Sequence, residues 1–183
     1  FALPEGRSTG GRARAWIVYA PPDYDPARPT PVVVLLHGRP SNAASMASIS
    51  GMNDTAAQNN FMVVYPEGLD NEWNAQFDIA GRSISLTGQS STLPQDDVGF
   101  LKTLMSDLAV DFNIDRSRLY LGGFSNGVFM TQRMACSAGD TFAAFAEVGS
   151  ALYVELSRLC QRSTPTPILF MHGSADPSVP ITG

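Results

Sequence analysis

Short apolar runs alternate with segments of helical periodicity along most of the chain. Residues 31–37 form an apolar run with three consecutive valines, and such β-branched runs are typical of strands buried on both faces of a parallel sheet. Between residues 95 and 112, apolar residues recur at helical spacing. The alternation predicts an α/β fold in which helices cover both faces of a mostly parallel sheet.

The predicted strands are residues 14–20, 31–37, 61–65, 118–122, 143–148 and 167–171, and the predicted helices are residues 45–60, 95–112 and 128–137. Residues 67–94 interrupt this alternation as a long, irregular segment that contains several Ser and Gly residues. Long loops inside compact domains are usually functional, so we expect this one to contribute to a site. Neither an internal repeat nor a linker divides the chain, which predicts a single domain over residues 1–183.

Composition and charge narrow the possible partners. The chain is 44% hydrophobic and 16% charged, a globular balance, and its net charge is −5. Apart from Lys102 the basic residues are arginines that occur singly, so we expect no nucleic-acid partner. The longest apolar run, residues 32–36, is too short to span a membrane, and no membrane partner is expected. No N-terminal stretch has the pattern of a signal peptide, so such a peptide is either absent or already removed.

The two cysteines, Cys136 and Cys160, do not form a recognised metal pattern with the two distant histidines. We therefore expect neither a metal nor another cofactor. The thiols are either buried and free or joined as a disulfide. We favour the disulfide, which would imply an oxidising compartment.

Residues 123–127, Gly-Phe-Ser-Asn-Gly, match the pattern G-x-S-x-G. A predicted strand leads directly into the motif and a predicted helix follows it, which is the setting of a nucleophile elbow. The two glycines lack the Cβ atoms that would keep the strand and the helix apart. The alternative is an ordinary tight turn. The strand–turn–helix context favours Ser125 as a catalytic nucleophile.

An activated serine also needs hydrogen-bond donors for the oxyanion of its substrate. The amide of Asn126 follows the nucleophile at a helix start and supplies one donor. The second is expected from the loop after an earlier strand, where the backbone amide of Arg39 is suitable and Pro40 has no N–H to donate. His37 precedes this loop, and we expect it to be structural rather than the catalytic base.

Asp176 is the predicted catalytic acid. It follows a predicted strand in a Gly-containing turn. It also comes after Ser125, as expected from the chain order serine, acid, histidine that accompanies a nucleophile elbow. The alternative is a turn-forming aspartate before Pro177, and Asp140 and Glu147 are weaker candidates for the acid.

Asp96 and Asp97 are expected to be structural, because negative charge at a helix N-terminus suits the helix dipole. The base is not found by the same reasoning. Both histidines, His37 and His172, precede Asp176, so neither fits the expected order. We therefore expect that a C-terminal part of the fold, carrying the catalytic histidine, is absent from this chain.

These motifs resemble the polyhydroxybutyrate depolymerase and feruloyl esterase family of secreted α/β-hydrolases, including its acetylxylan-esterase-like members. The matching pieces fall in the family's order along the whole chain: residues 33–38, 64–67, 73–74, 96–101, 123–127 and 172–177. The resemblance implies an α/β-hydrolase fold, Ser125 as nucleophile, Asp176 as acid, and secretion. It also implies a Cys136–Cys160 bridge behind the active-site helix, and a catalytic histidine in a further C-terminal segment.

The sequence departs from the depolymerase type of this family at two positions. Where those members often have cysteines, after the His-Gly pair and before the Trp-Asn pair, this chain has Arg39 and Glu72. We expect an ion pair to replace a cross-link there.

The sequence therefore predicts a carboxylic ester hydrolase that works through a serine acyl-enzyme. Trp73 and Phe124 are predicted to bind substrate, with a core aromatic as the alternative for Trp73. The substrate class suggested by the resemblance is a feruloyl or acetyl ester of plant polysaccharide, or a polyester. A C-terminal fragment of the same protein is a further expected partner. The alternatives are a serine peptidase on the same fold, a non-catalytic hydrolase-like module that binds a polymer, and a natural truncation without activity.

Overall fold

The computed structural model describes residues 5–9, 12–77, 83–84, 95–150, 160 and 165–177. The strands are β1 (Glu5–Thr9), β2 (Arg12–Tyr19), β3 (Thr30–Leu36), β4 (Met62–Pro66), β5 (Gln76–Phe77), β6 (Ser83–Ile84), β7 (Ile114–Phe124), β8 (Ala144–Val148) and β9 (Ile168–Met171). The α-helices are α1 (Ala43–Ser50), α2 (Met52–Asn59), α3 (Asp97–Asp111) and α4 (Asn126–Ala138), and a 3₁₀ helix spans Leu69–Asn71.

Seven of these strands form one sheet in the order β1-β2-β4-β3-β7-β8-β9, and β5 pairs with β6 separately. The five strands from β4 to β9 in this order run parallel, whereas β2 is antiparallel to both β1 and β4. The carboxyl ends of β3, β7, β8 and β9 therefore meet at one edge of the sheet. The predicted mostly parallel sheet is confirmed.

Alternate residues of the central strand β3 pack on opposite faces of the sheet. Val32, Val34 and Leu36 belong to one core cluster, together with buried residues of α3 and α4. Leu35 belongs to a second cluster, with buried residues of α1 and α2. Helices thus cover both faces, which explains why residues 31–37 read as continuously apolar.

One predicted helix is wrong in the structure. Residues 45–60, expected as a single helix, form α1 and α2, which meet at Gly51 with φ 60°. A residue in the left-handed region ends an α-helix, and glycine adopts this conformation without steric cost. The edge strand β1 was not predicted, and β7 is longer than the predicted strand at 118–122.

Two features fix α4 and β9 relative to the rest of the molecule. Cys136, near the end of α4, forms a disulfide with Cys160, as the resemblance implies. Strand β9 pairs with β8, but its four apolar side chains are between 41% and 57% exposed.

Among the residues that the structure describes, none of the helices combines the length and apolar character that crossing a membrane requires.

Candidate active site

Ser125 lies between the end of β7 and the start of α4, at φ 51° and ψ −116°. A positive φ is uncommon for a residue with a side chain and persists only where the surroundings enforce it. Here the Ser125 N–H donates to the Val148 carbonyl oxygen at 3.1 Å, and the Ser125 carbonyl oxygen accepts from the Val128 N–H at 2.8 Å. Bonds to β8 and to α4 thus hold the strained turn.

The two glycines of the motif allow backbone to pack directly on backbone. A Cβ atom at Gly127 would lie 2.5 Å from the carbonyl oxygen of Leu36 and 2.8 Å from that of His37. A Cβ atom at Gly123 would overlap the Gly127 carbonyl. The first turn of α4 therefore rests against the end of β3, which brings the nucleophile turn and the loop after β3 together.

The geometry is suited to an oxyanion hole. Asn126 is the first residue of α4, so its backbone N–H has no acceptor within the helix and lies at the positive end of the helix dipole. The loop after β3 passes beside the nucleophile, because a Cβ atom at Gly38 would lie 3.2 Å from the Ser125 Cβ. Arg39, the predicted second donor, is the next residue in that loop. Its side chain pairs with Glu72 (Nε to Oε2, 3.1 Å), so the expected ion pair is present.

His37 is fully buried, and backbone groups engage both of its ring nitrogens. Nε2 accepts from the Gly68 N–H at 2.9 Å and lies 3.3 Å from Glu67 Oε1. Nδ1 donates to the Gly38 carbonyl oxygen at 2.8 Å. A histidine used in this way positions the loop after β3 and is not available as a general base.

Trp73 lies in the core, the alternative that the sequence left open. Its side chain is 1% exposed, and its Nε1–H donates to the His37 carbonyl oxygen at 2.9 Å. Its backbone N–H donates to Asn126 Oδ1 at 2.8 Å. No sequence pattern pointed to these contacts, which join the loop after β4 to both sides of the oxyanion region.

A buried charged cluster holds the residue after Trp73. Asp97 accepts from Arg14 (Nη2 to Oδ1, 2.5 Å) and from the Asn74 N–H (2.7 Å), and Arg133 donates to the Asn74 carbonyl oxygen. Burial raises the pKa of Asp97 above its usual range, and Arg14 and the Asn74 amide oppose that shift. Burial lowers the pKa of Arg133 to about 10, while Asp97 opposes the change. Asp96 caps α3 through the Gly99 N–H (2.8 Å), so the structural roles expected for both aspartates are confirmed.

The predicted acid and its rivals have different environments. Asp176 lies half-buried in the turn after β9, at the same edge of the sheet as Ser125, and its N–H donates to the Gly173 carbonyl oxygen. Asp140 is exposed beyond the end of α4. Glu147 is fully buried between β8 and α4, where its Oε2 accepts from Gln132 Nε2 at 2.9 Å. Asp176 remains the predicted acid.

Phe124 precedes the nucleophile and is 41% exposed. Its ring lies against the loop after β3, since a Cβ atom at Gly38 would be 3.1 Å from the Phe124 Cδ1. His172, at the end of β9, is half-buried with its Nδ1 3.2 Å from the Ser150 carbonyl oxygen. Contact between Phe124 and a substrate stays a prediction.

The strand order, the mostly parallel sheet and the strained serine between a strand and a helix define an α/β-hydrolase. The chain belongs to the phospholipase/carboxylesterase family, whose sequence profile matches residues 24–183.

Two curated relatives agree with this assignment, and a solved structure shares the fold. Feruloyl esterase C of Emericella nidulans is 24% identical over 175 residues, which cover 93% of this chain and 57% of that protein. Poly(3-hydroxyalkanoate) depolymerase C of Paucimonas lemoignei is 32% identical over 124 residues, covering 67% of this chain and 28% of that protein. A solved thermostable esterase has a TM-score of 0.70 at 20% identity over 99% of this chain and 48% of its own. The chain spans about half the length of the curated relatives it matches.

Proposed function

We propose that the protein is a carboxylic ester hydrolase with Ser125 as its nucleophile. The observation that carries the proposal is the strained backbone of Ser125, held beside the loop after β3. In the acylation step, Ser125 Oγ bonds to the ester carbonyl carbon while a histidine takes its proton. The amides of Asn126 and Arg39 donate to the resulting oxyanion. The alcohol leaves with that proton, and water then hydrolyses the acyl-enzyme.

The histidine comes, in this proposal, from a segment of the same protein outside residues 1–183, and Asp176 orients it. Four observations support this assignment. Backbone groups use both ring nitrogens of His37. His172 precedes Asp176, against the order of this fold. The chain spans about half the length of its curated relatives, and the apolar side chains of β9 are exposed next to the turn that carries Asp176.

The proposed substrates are feruloyl or acetyl esters of plant polysaccharide, or polyesters such as polyhydroxyalkanoate. The names of the relatives, a feruloyl esterase and a poly(3-hydroxyalkanoate) depolymerase, support this range. The exposed Phe124 beside Ser125 would contact an apolar acyl group. The Cys136–Cys160 disulfide supports a secreted protein, because disulfides persist in oxidising compartments.

A fluorophosphonate probe tests the mechanism in the full-length protein that contains these residues. We expect one labelled serine, lost in Ser125→Ala and kept in Ser137→Ala, a change at an exposed position near the other end of α4. Hydrolysis of p-nitrophenyl esters without cleavage of peptide anilides would separate an esterase from a peptidase. Labelling that persists in Ser125→Ala would refute the proposal. The intact mass of the labelled protein shows whether it extends beyond Gly183.

A further inference from the structure

We propose that Trp73 is a positioning residue that sets the separation between the two oxyanion donors, the amides of Asn126 and Arg39. The inference rests on the proposed ester hydrolysis and deepens it. Trp73 bonds to both segments that carry these donors, and it is almost fully buried, at 1% exposure.

The first link joins Trp73 to the start of α4. The backbone N–H of Trp73 donates to Asn126 Oδ1 at 2.8 Å, and the Trp73 carbonyl oxygen accepts from Asn126 Nδ2 at 3.4 Å. Asn126 therefore uses its side chain to hold Trp73, while its own backbone amide lies at the nucleophile turn. Asn126 is 1% exposed, so water does not compete for these two hydrogen bonds.

The second link joins Trp73 to the end of β3. Its Nε1–H donates to the carbonyl oxygen of His37, two residues before Arg39. The same carbonyl oxygen would lie 2.8 Å from a Cβ atom at Gly127, so it is packed against the first turn of α4. The indole N–H thus satisfies a buried acceptor at the junction between the two donor segments.

The charged cluster holds the backbone next to Trp73 in place. The Asn74 N–H donates to Asp97 on α3, and the Asn74 carbonyl oxygen accepts from Arg133 on α4. The Asn74 side chain also donates to the Gln95 carbonyl oxygen at 2.7 Å. The backbone next to Trp73 is therefore bonded to two helices, and displacement of that backbone would require these bonds to break.

An oxyanion hole works only when its donors lie about 2.7–3.1 Å from the oxygen of the transition state. Trp73→Phe keeps an aromatic ring in the core and removes the Nε1–H, which leaves the His37 carbonyl oxygen without this partner. The loop after β3 can then shift relative to α4, and the two amides no longer converge on one point. Such misplacement weakens binding of the transition state more than binding of the ester.

The test compares Trp73→Phe with Trp16→Phe in the full-length protein. Trp16 is the other tryptophan, 6% exposed on β2, and its ring packs on that of Phe100 on α3. We expect kcat on a soluble p-nitrophenyl ester to fall about 10-fold or more in Trp73→Phe, with KM nearly unchanged. The inhibition constant of an alkyl boronic acid, which forms a tetrahedral adduct with the serine, should rise by a similar factor. Trp16→Phe should lower thermal stability and leave both quantities close to wild type.

Wild-type kcat and boronic acid affinity in Trp73→Phe would overturn the inference, as would an equal loss of kcat in Trp16→Phe. If Trp73→Phe does not fold, Asn126→Ala removes the first link and should give the same change in kcat and inhibition constant. Unchanged values in that variant would also overturn the inference. Failure of the proposed function is distinct, because Ser125→Ala would then retain activity.

Discussion

A carboxyl group enclosed between the sheet and α4 should make the protein less stable as the pH rises. Glu147 on β8 is fully buried, and its Oε2 accepts from Gln132 Nε2. Its Oε1 has no hydrogen-bond partner in the part of the chain that the structure describes. Burial raises the pKa of Glu147 to about 7, and the bond from Gln132 only partly opposes this shift. The folded protein therefore binds a proton at Glu147 that the unfolded chain releases at lower pH.

The sign of the effect follows from linkage. Glu147 holds its proton more tightly in the folded state, so its stabilising contribution is complete below pH 4.5, its ordinary pKa, and is lost as the pH rises through about 7. Between these values the free energy of unfolding should fall by about 1.4 kcal/mol per pH unit, or about 3 kcal/mol in all. Glu147→Gln keeps the shape and cannot ionise, so the variant should not show this loss.

Urea denaturation at pH 4.5, 6 and 8 measures this difference, with the fluorescence of the two buried tryptophans as the signal. We expect Glu147→Gln to match the wild type within about 1 kcal/mol at pH 4.5 and to exceed it by about 3 kcal/mol at pH 8. Asp140→Asn is the control, since it removes one carboxyl group at an exposed position. A difference between wild type and Glu147→Gln that stays constant from pH 4.5 to pH 8 would refute the reasoning.

Three ion pairs give further predictions. Asp97→Asn should lower the free energy of unfolding by about 3 kcal/mol, because it leaves Arg14 buried without its carboxylate. Asp70→Asn, which removes the exposed pair with Arg12, should lower it by less than about 1 kcal/mol. Urea titrations measure both losses, and equal losses would contradict the prediction. Glu72→Ala removes the ion pair with Arg39 and should lower the urea midpoint slightly at low salt and less at high salt. An unchanged midpoint at low salt would show that this ion pair contributes nothing measurable to stability.

The parts of the fold that could be predicted from the sequence are those set by local pattern. The valine run predicted β3, and the G-x-S-x-G motif in its strand–turn–helix context predicted the turn at Ser125 between a strand and a helix. The break at Gly51 was missed because the residues on either side of it remain compatible with one helix. An isolated glycine is tolerated inside a helix, so the pattern around Gly51 does not by itself distinguish one helix from two.

The contacts that organise the site depend on distant parts of the chain. The Trp73 indole bonds to a residue 36 positions earlier, and the Trp73 backbone bonds to one 53 positions later. Asn126 was predicted for its backbone amide, but its side chain acts separately as the clamp on Trp73. Periodicity reports which residues are buried, whereas these bonds depend on which buried donor meets which acceptor once the sheet has formed.

The two halves of the proposed catalytic machinery are built differently. The nucleophile and its donors lie where β3, β7 and α4 make backbone contact, so any movement there would break buried bonds or force backbone atoms together. The proposed acid follows β9, whose side chains are exposed on the sheet edge. The oxyanion half should therefore keep its geometry whether or not a further segment packs against β9. If the histidine comes from such a segment, as proposed, removal of the segment should abolish serine activation before it disturbs the oxyanion donors.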